Sequence, residues 1–237
     1  MQPQDLDKAF EALKTYDWGT DRKKMDPIDD AVIATYGDAA ARKALEKRLA
    51  AVLGSGAARS AKDYVCRTLK TMGTAESVPA LAALLPDKDL SHMARYALER
   101  IPAPEAAAAM RSALPGLTGA LKAGAIGSLG VRRDEASVSA LAASLGDADK
   151  EVGCAAACAL GNIGTPDAAR ALGQAAKSAP EGVKPAVADG CLVCAEQLLA
   201  DGKKAEAVAL YKSLAGADQP KHVRLAATRG LLSAAGK

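Results

Sequence analysis

Four cysteines fall in two close pairs, Cys154 with Cys158 and Cys191 with Cys194. Spacings of four and three place each pair on one face of a helix. Thiolates bind zinc well, and two such helices lying side by side could bring four sulfurs into a tetrahedral site. The competing reading is that cysteine replaces alanine in tight helix–helix packing, where it behaves as a small apolar group. Cys-x-x-Cys zinc knuckles sit in turns, whereas Cys191 and Cys194 are expected mid-helix. Cys66 has no neighbour to pair with and reads as core. The total of five is odd, and the pattern is unlike that of a small disulfide-stapled secreted domain.

A second group of candidates is polar and basic. His92, Arg95 and Tyr96 open a helical stretch, with Arg100 at its end. Arg132 and Arg133 fall between helices one repeat further on, and Lys70 stands one repeat earlier. A ridge of such bases could hold an acidic protein or a phosphate; ordinary solvated turns, with Asp134 and Glu135 neutralising the arginines, are the alternative. His92 reads as a structural residue of its turn or as a binding residue. Trp18 is the single tryptophan, near Tyr16 in the connection after the first helix. It is expected to anchor that connection on the N-terminal helices, with an exposed binding role as the alternative.

Chemistry beyond binding finds little material. The chain has two histidines, and no P-loop, dinucleotide fingerprint, Gly-x-Ser-x-Gly elbow or His-Glu-x-x-His motif occurs. Carboxylates are scattered over caps and turns. No catalytic residues and no cofactor are expected. Lys plus Arg number 31 against 28 Asp plus Glu, a net charge of +3, which argues against a dedicated nucleic-acid binder. No apolar run reaches the length of roughly 18 residues needed to span a bilayer.

The elements that must position these residues are helices. Of the 237 residues, 49% are hydrophobic but only 3% aromatic, and 56 are alanine. Sparse β-branched and aromatic residues argue against sandwiches and barrels, and the alanine content predicts many helices packed closely together. Self-similarity then gives the organisation. Leu69, Leu98, Leu129 and Leu160 are 29, 31 and 31 residues apart. Twelve residues after each stands Leu81, Met110, Leu141 or Leu172, and sixteen after each stands Leu85, Leu114, Leu145 or Ala176.

Each unit predicts two helices. Small residues precede the leucine of the first, as in Val152–Leu160; a break follows, and the second buries positions such as Val78, Leu81, Ala82 and Leu85. Thr74 and Thr165 are expected N-caps, and Pro104 and Pro166 suit the first helical turn. Residues 1–56 predict three helical stretches forming an N-terminal cap, the second spanning Pro27–Tyr36 with Asp26 and Gly37 at its ends. The repeats proper run over 57–182. Residues 183–217 form a longer hairpin, with Leu198, Leu210 and Leu214 keeping the twelve- and sixteen-residue offsets. Residues 218–237, from Asp218, supply the first helix of a further repeat without its second, so the chain reads as a fragment of a longer protein.

The residues Val152-Gly153 through Ala159-Leu160-Gly161-Asn162-Ile163-Gly164, preceded by Asp147-Ala148-Asp149, resemble bacterial HEAT-like repeats of the PBS-lyase type. His222-Val223-Arg224-Leu225-Ala226-Ala227 is similar to the Val-Arg start of such repeats. Tyr16-Asp17-Trp18-Gly19 and Leu90–Glu99 resemble a subgroup of bacterial multi-domain, often exported, HEAT-repeat proteins. Ala195–Ala207 with Tyr211 and Leu214 is similar to a tetratricopeptide helix pair. The resemblance implies an all-α fold, a right-handed α-α superhelix of stacked hairpins, used non-catalytically for protein–protein or interdomain binding. A deoxyhypusine-hydroxylase-like iron site would require His-Glu pairs, and the chain has no His-Glu dipeptide. HEAT-type DNA glycosylases use aromatics in a basic groove, for which this chain has too few aromatics and too little charge.

The expected partner is therefore another protein or another domain of the same longer chain. Second helices rich in Ala80, Ala83, Ala107, Ser139 and Ser144 predict a smooth inner face. The alternative function is a metal- or anion-binding accessory protein using the cysteines or the basic edge. Met1-Gln2-Pro3-Gln4-Asp5 is polar and not a signal peptide. Both a cytoplasmic protein and an exported chain with its signal removed fit, the subgroup resemblance leaning toward export.

Overall fold

The computed structural model describes residues 3–216 and 219–236. Asp218, the expected start of the last repeat, and Lys237 lie outside them. The described residues form fourteen α-helices and four short 3-10 turns, with no strand. None of the helices is long and apolar enough to cross a membrane. The chain divides into two compact units, Met1–Gly116 and Leu117–Lys237.

The first unit contains α1 (Pro3–Lys14), α2 (Asp26–Ala34), α3 (Ala39–Leu53), α4 (Arg59–Met72), α5 (Val78–Ala82), α6 (Ser91–Leu98) and α7 (Pro104–Ala113). Helices α4 and α6 pack side by side as first helices, while α3, α5 and α7 line up as a second layer. Helix α3 thus stands where the second helix of a preceding repeat would stand. The expected anchors Leu69, Leu98, Leu81 and Met110 are fully buried. Asp26 is a helical residue of the first turn rather than a cap, because a 3-10 turn over Arg22–Met25 precedes it and is itself capped by Asp21. Asp38 caps α3, accepting from the amides of Ala40 and Ala41 at 3.1 and 3.0 Å.

Glu46 is a polar position on α3 that the structure buries to 1% exposure. Its carboxylate accepts from the Thr74 amide at 2.6 Å and the Thr74 hydroxyl at 2.9 Å. Thr74 is the expected N-cap, and its hydroxyl oxygen accepts from the Glu76 amide at 3.2 Å. One carboxylate therefore ties α3 to the turn that reverses the chain between α4 and α5. A buried acid is tolerated because charge-assisted bonds replace its lost hydration.

The second unit contains α8 (Gly119–Val131), α9 (Val138–Ser144), α10 (Lys150–Ile163), α11 (Pro166–Ser178), α12 (Lys184–Ala200), α13 (Lys204–Leu214) and α14 (Lys221–Ala235). First helices α8, α10 and α12 stack in one layer, with α9, α11 and α13 in the other. This is the hairpin stacking of an α-solenoid. Leu129, Leu160, Leu141, Leu172 and Leu198 are buried at the repeated positions. Ala176 is not, and Ala175 takes the buried place beside it. The expected smooth face is also partly redistributed: Ser139 and Ala83 are exposed, but Ala107 and Ser144 turn into the interior.

The layer of first helices depends on residues without side-chain bulk. A methyl group built on Gly161 of α10 would lie 2.8 Å from the carbonyl oxygen of Gly190 on α12. On Gly190 it would lie 2.5 Å from the carbonyl oxygen of Ala157, and on Gly130 of α8 it would lie 2.7 Å from the Ala159 Cα. Helix α10 closes on Gly164, whose φ of 67° is the left-handed conformation that glycine adopts without steric cost. The cysteines share this packing. Cys66, Cys191 and Cys194 are fully buried, and burial pushes their thiols up to about 12, 12 and 11 respectively.

Two measurements check this account. Gly161→Ala gains about 1 kcal/mol of helix propensity but loses about 1–3 kcal/mol by overpacking, so calorimetry should show a lower melting temperature. Gly127→Ala, where a methyl meets nothing within 4 Å, should raise it; equal shifts in both variants would contradict the close-approach argument. Iodoacetamide on the native protein should modify exposed Cys158 first and half-buried Cys154 more slowly, with Cys66, Cys191 and Cys194 reacting only in denaturant. Peptide mass mapping reads the order, and native labelling of Cys191 as fast as Cys158 would contradict it.

Candidate functional site

The connection after α1 is a tight turn rather than an anchored linker. The Thr20 amide donates to the Asp17 carbonyl at 3.0 Å, and Gly19, at φ 92°, takes the third position, where a positive φ is needed. Trp18 therefore sits at the outer corner of the turn and is 60% exposed. This corrects the expectation that it anchors the connection. The turn is held instead by its neighbours. The buried Ser60 hydroxyl, at the start of α4, lies 2.9 Å from both the Tyr16 carbonyl and the Asp17 carboxylate. The Arg59 guanidinium stands 5.4 Å from the centre of the Trp18 ring.

Held in this way, Trp18 borders a cleft of about 540 Å³ between the α1–α2 region and α4. Tyr16, Val32, Ile33 and Tyr64 supply further apolar surface, and Arg22, Asp29, Asp63 and Arg67 the polar edge. Ile33 is 73% exposed, and Tyr36, just beyond α2, is 89% exposed. The α4 lining comes from Ser60, Asp63, Tyr64, Arg67, Thr68 and Thr71, the three- and four-residue spacing of one helix face. The eleven steps from Ser60 to Thr71, at 1.5 Å each, make this wall about 16 Å long.

The floor is fixed by hydrogen bonds. The Tyr64 hydroxyl donates to Asp29 at 2.8 Å, and Arg22 donates to the other Asp29 oxygen at 2.9 Å. Burial first, and then the Asp29 carboxylate, holds the Tyr64 phenol above its ordinary range. Arg67 donates to Asp63 at 3.0 Å. Each carboxylate lining the cleft is thus engaged by a cation or a hydroxyl, an arrangement that shapes a surface and leaves no paired acids poised for proton transfer.

The basic candidates divide between the two units. In the first, the Lys70 ammonium donates to the Tyr96 hydroxyl at 2.9 Å and lies 4.5 Å from its ring centre. The Lys70 hydrogen bond and charge, and then Arg100 and Arg67, hold the Tyr96 phenol below its ordinary value. Arg100 and His92 are exposed and Arg95 is half-buried beside Glu99. In the second, Arg132 caps α8 and Arg133 follows at φ 51°, the slot that Gly164 occupies one repeat later. Arg133 also reaches the Ile163 carbonyl at 3.4 Å. These two arginines serve the turn between α8 and α9; repeat alignment, which sets Arg133 against Gly164, carries that signal.

The four paired cysteines are not gathered. The Cys154 thiol points to the Gly182 carbonyl at 3.6 Å and the Cys194 thiol to the Thr165 carbonyl at 3.9 Å. Cys158 is exposed, while Cys191 is buried in the helix layer. Among the described residues no group of three or more His, Cys, Asp or Glu side chains is placed to hold a metal ion. Helical phase explains the difference: positions 154 and 158 lie toward the outside of α10, whereas 191 and 194 face its inner neighbours.

Comparison with known proteins agrees with the repeat reading over part of the chain. A family model described as HEAT repeats matches residues 118–190, from α8 into α12. No curated protein matches. Among solved structures, a designed armadillo repeat protein is similar at TM-score 0.44 and 15% identity, covering 97% of this chain and 99% of that one. An engineered protein is similar at TM-score 0.42 and 19% identity, covering 100% and 98%. Human deoxyhypusine hydroxylase in complex with glycerol is similar at TM-score 0.40 and 16% identity, covering 99% and 97%. At these scores the structural likenesses carry no functional argument; the HEAT-repeat match and the stacked hairpins together describe a helical repeat protein.

Proposed function

We propose that this chain is a non-catalytic helical-repeat module that binds a segment of another protein or domain. The cleft beside Trp18 is its principal contact. One observation carries the reading: in a chain with seven aromatic residues, Tyr16, Trp18 and Tyr64 line a single cleft, and Trp18 and Ile33 are left exposed there. Exposed tryptophan costs solubility and is enriched where binding energy concentrates. The volume suits one or two apolar side chains of an extended segment. The engaged carboxylates of the cleft support binding over catalysis, and the separated cysteines give a metal-binding reading no support.

Trp18 is the only tryptophan, so its fluorescence reports on the cleft alone. Selection of a displayed peptide library on the immobilised protein should yield sequences whose binding shifts that emission. Trp18→Ala should weaken them at least about tenfold, or about 1.4 kcal/mol, with an unchanged melting temperature. Peptides that bind Trp18→Ala as tightly as the original protein, or a selection that enriches none, would overturn the proposal.

A further inference from the structure

The cations that line the cleft, Arg22 and Arg67, are paired, and a group of cations adjoins it at Arg67. Arg22 is paired with Asp29 and Arg67 with Asp63, and at the start of α4 Arg59 is paired with Asp89 at 3.6 Å. Toward its end the partners change character. Lys70 donates to a neutral phenol, Tyr96, and Arg42 donates to the Thr71 carbonyl at 3.2 Å. Arg42, Lys70 and Arg100 have no carboxylate within ion-pair distance among the described residues. The Tyr96 oxygen accepts from Lys70, which leaves its own proton free to donate outward. Arg67 belongs to both regions, since it lines the cleft and is one of the cations felt by Tyr96.

We infer that the segment bound by this module is acidic on one side of its apolar anchor. An apolar side chain fills the cleft beside Trp18 and Ile33, and carboxylates further along lie on Lys70, Arg100 and the Tyr96 hydroxyl. The inference rests on the proposed binding cleft and adds the chemistry of its partner. The spacing follows from the wall. Ser60, which holds the tryptophan turn, and Lys70 are ten residues apart along α4, an axial rise of about 15 Å. An extended chain advances about 3.3 Å per residue, so at least four or five residues separate the anchor from the first carboxylate. Ammonium, guanidinium and phenol donors together make charge-assisted hydrogen bonds that neither a neutral nor a basic segment can replace.

The test uses labelled peptides with one leucine followed, after four glycine and serine residues, by three glutamates, three glutamines or three lysines. Fluorescence anisotropy with the intact protein should show the glutamate peptide binding at least about tenfold tighter than the glutamine peptide in low salt. The advantage should shrink in about 0.5 M salt, where charges are screened. The double variant Lys70→Glu with Arg100→Glu should abolish the glutamate preference while leaving the glutamine peptide unaffected. Trp18→Ala should weaken both peptides, and Lys177→Glu, an exposed site on α11, should change neither. Equal affinity for the glutamate and glutamine peptides, or a preference that survives the double variant, overturns the acidic inference and leaves the cleft reading standing. Displacement by millimolar inorganic phosphate of a peptide whose glutamates confer no advantage assigns the cations to phosphate and also overturns it. Failure of every peptide overturns the inference as well, and the library selection with Trp18→Ala then decides the cleft reading separately.

Discussion

The second unit depends on backbone meeting backbone. Gly161 faces Gly190, Gly190 faces Ala157, and Gly130 faces Ala159 at distances no side chain could occupy. Helices that approach this closely exclude water with few large residues, since dispersion grows with the number of atoms at contact distance. Large leucines are then needed only at the repeated positions where the layers meet. The abundance of alanine, the burial of Cys191 and Cys194 and the regular hairpin stacking are all consequences of that approach.

The same economy sets where binding chemistry can exist. A surface built from alanine and serine offers few handles, and the helices of the second unit use Gly130, Gly161, Gly190, Cys191 and Cys194 for packing. In the first unit the repeat pattern is interrupted by α1, the 3-10 turn and α2, and there the large side chains accumulate. Tyr16, Trp18, Ile33 and Tyr64 cluster because a turn and a short helix lie across α4. Hydrogen bonds from Ser60 and Tyr64 hold these pieces in place, so apolar groups remain exposed without the turn collapsing over them.

Polar groups, buried in the case of Glu46 and part-exposed in that of Asp29, act as fixings in this architecture. Glu46 secures the turn at Thr74, and Asp29 joins Tyr64 to Arg22. Each carboxylate is matched by donors, and loss of the Thr74 partner would strand the buried Glu46. Cations without carboxylate partners are correspondingly informative: Lys70 and Arg100 stand around the Tyr96 phenol, next to the cleft-lining Arg67.

Much of the fold was legible in the chain. The leucine spacing, Thr74 and Thr165 as caps, and Pro104 and Pro166 at helix starts are local or periodic signals, and local signals act over a few residues whatever the surroundings. The candidate site was legible only in part. Trp18, Tyr96, Lys70 and Arg100 stood out by type, but whether Trp18 turns inward depended on the positive φ of Gly19 and on Ser60, 42 residues further along. Glu46 gave no sign of burial, because its partner Thr74 is distant in sequence. The cysteines looked capable of converging because spacing fixes a helix face but not which neighbour that face meets. The sequence by itself determined helices, repeats and composition, which follow from short-range sterics and hydrophobic period. Only the tertiary structure decided which aromatics stay exposed, which charges stay unpaired and which thiols stay apart, since these are properties of contacts between residues the chain brings together from far apart.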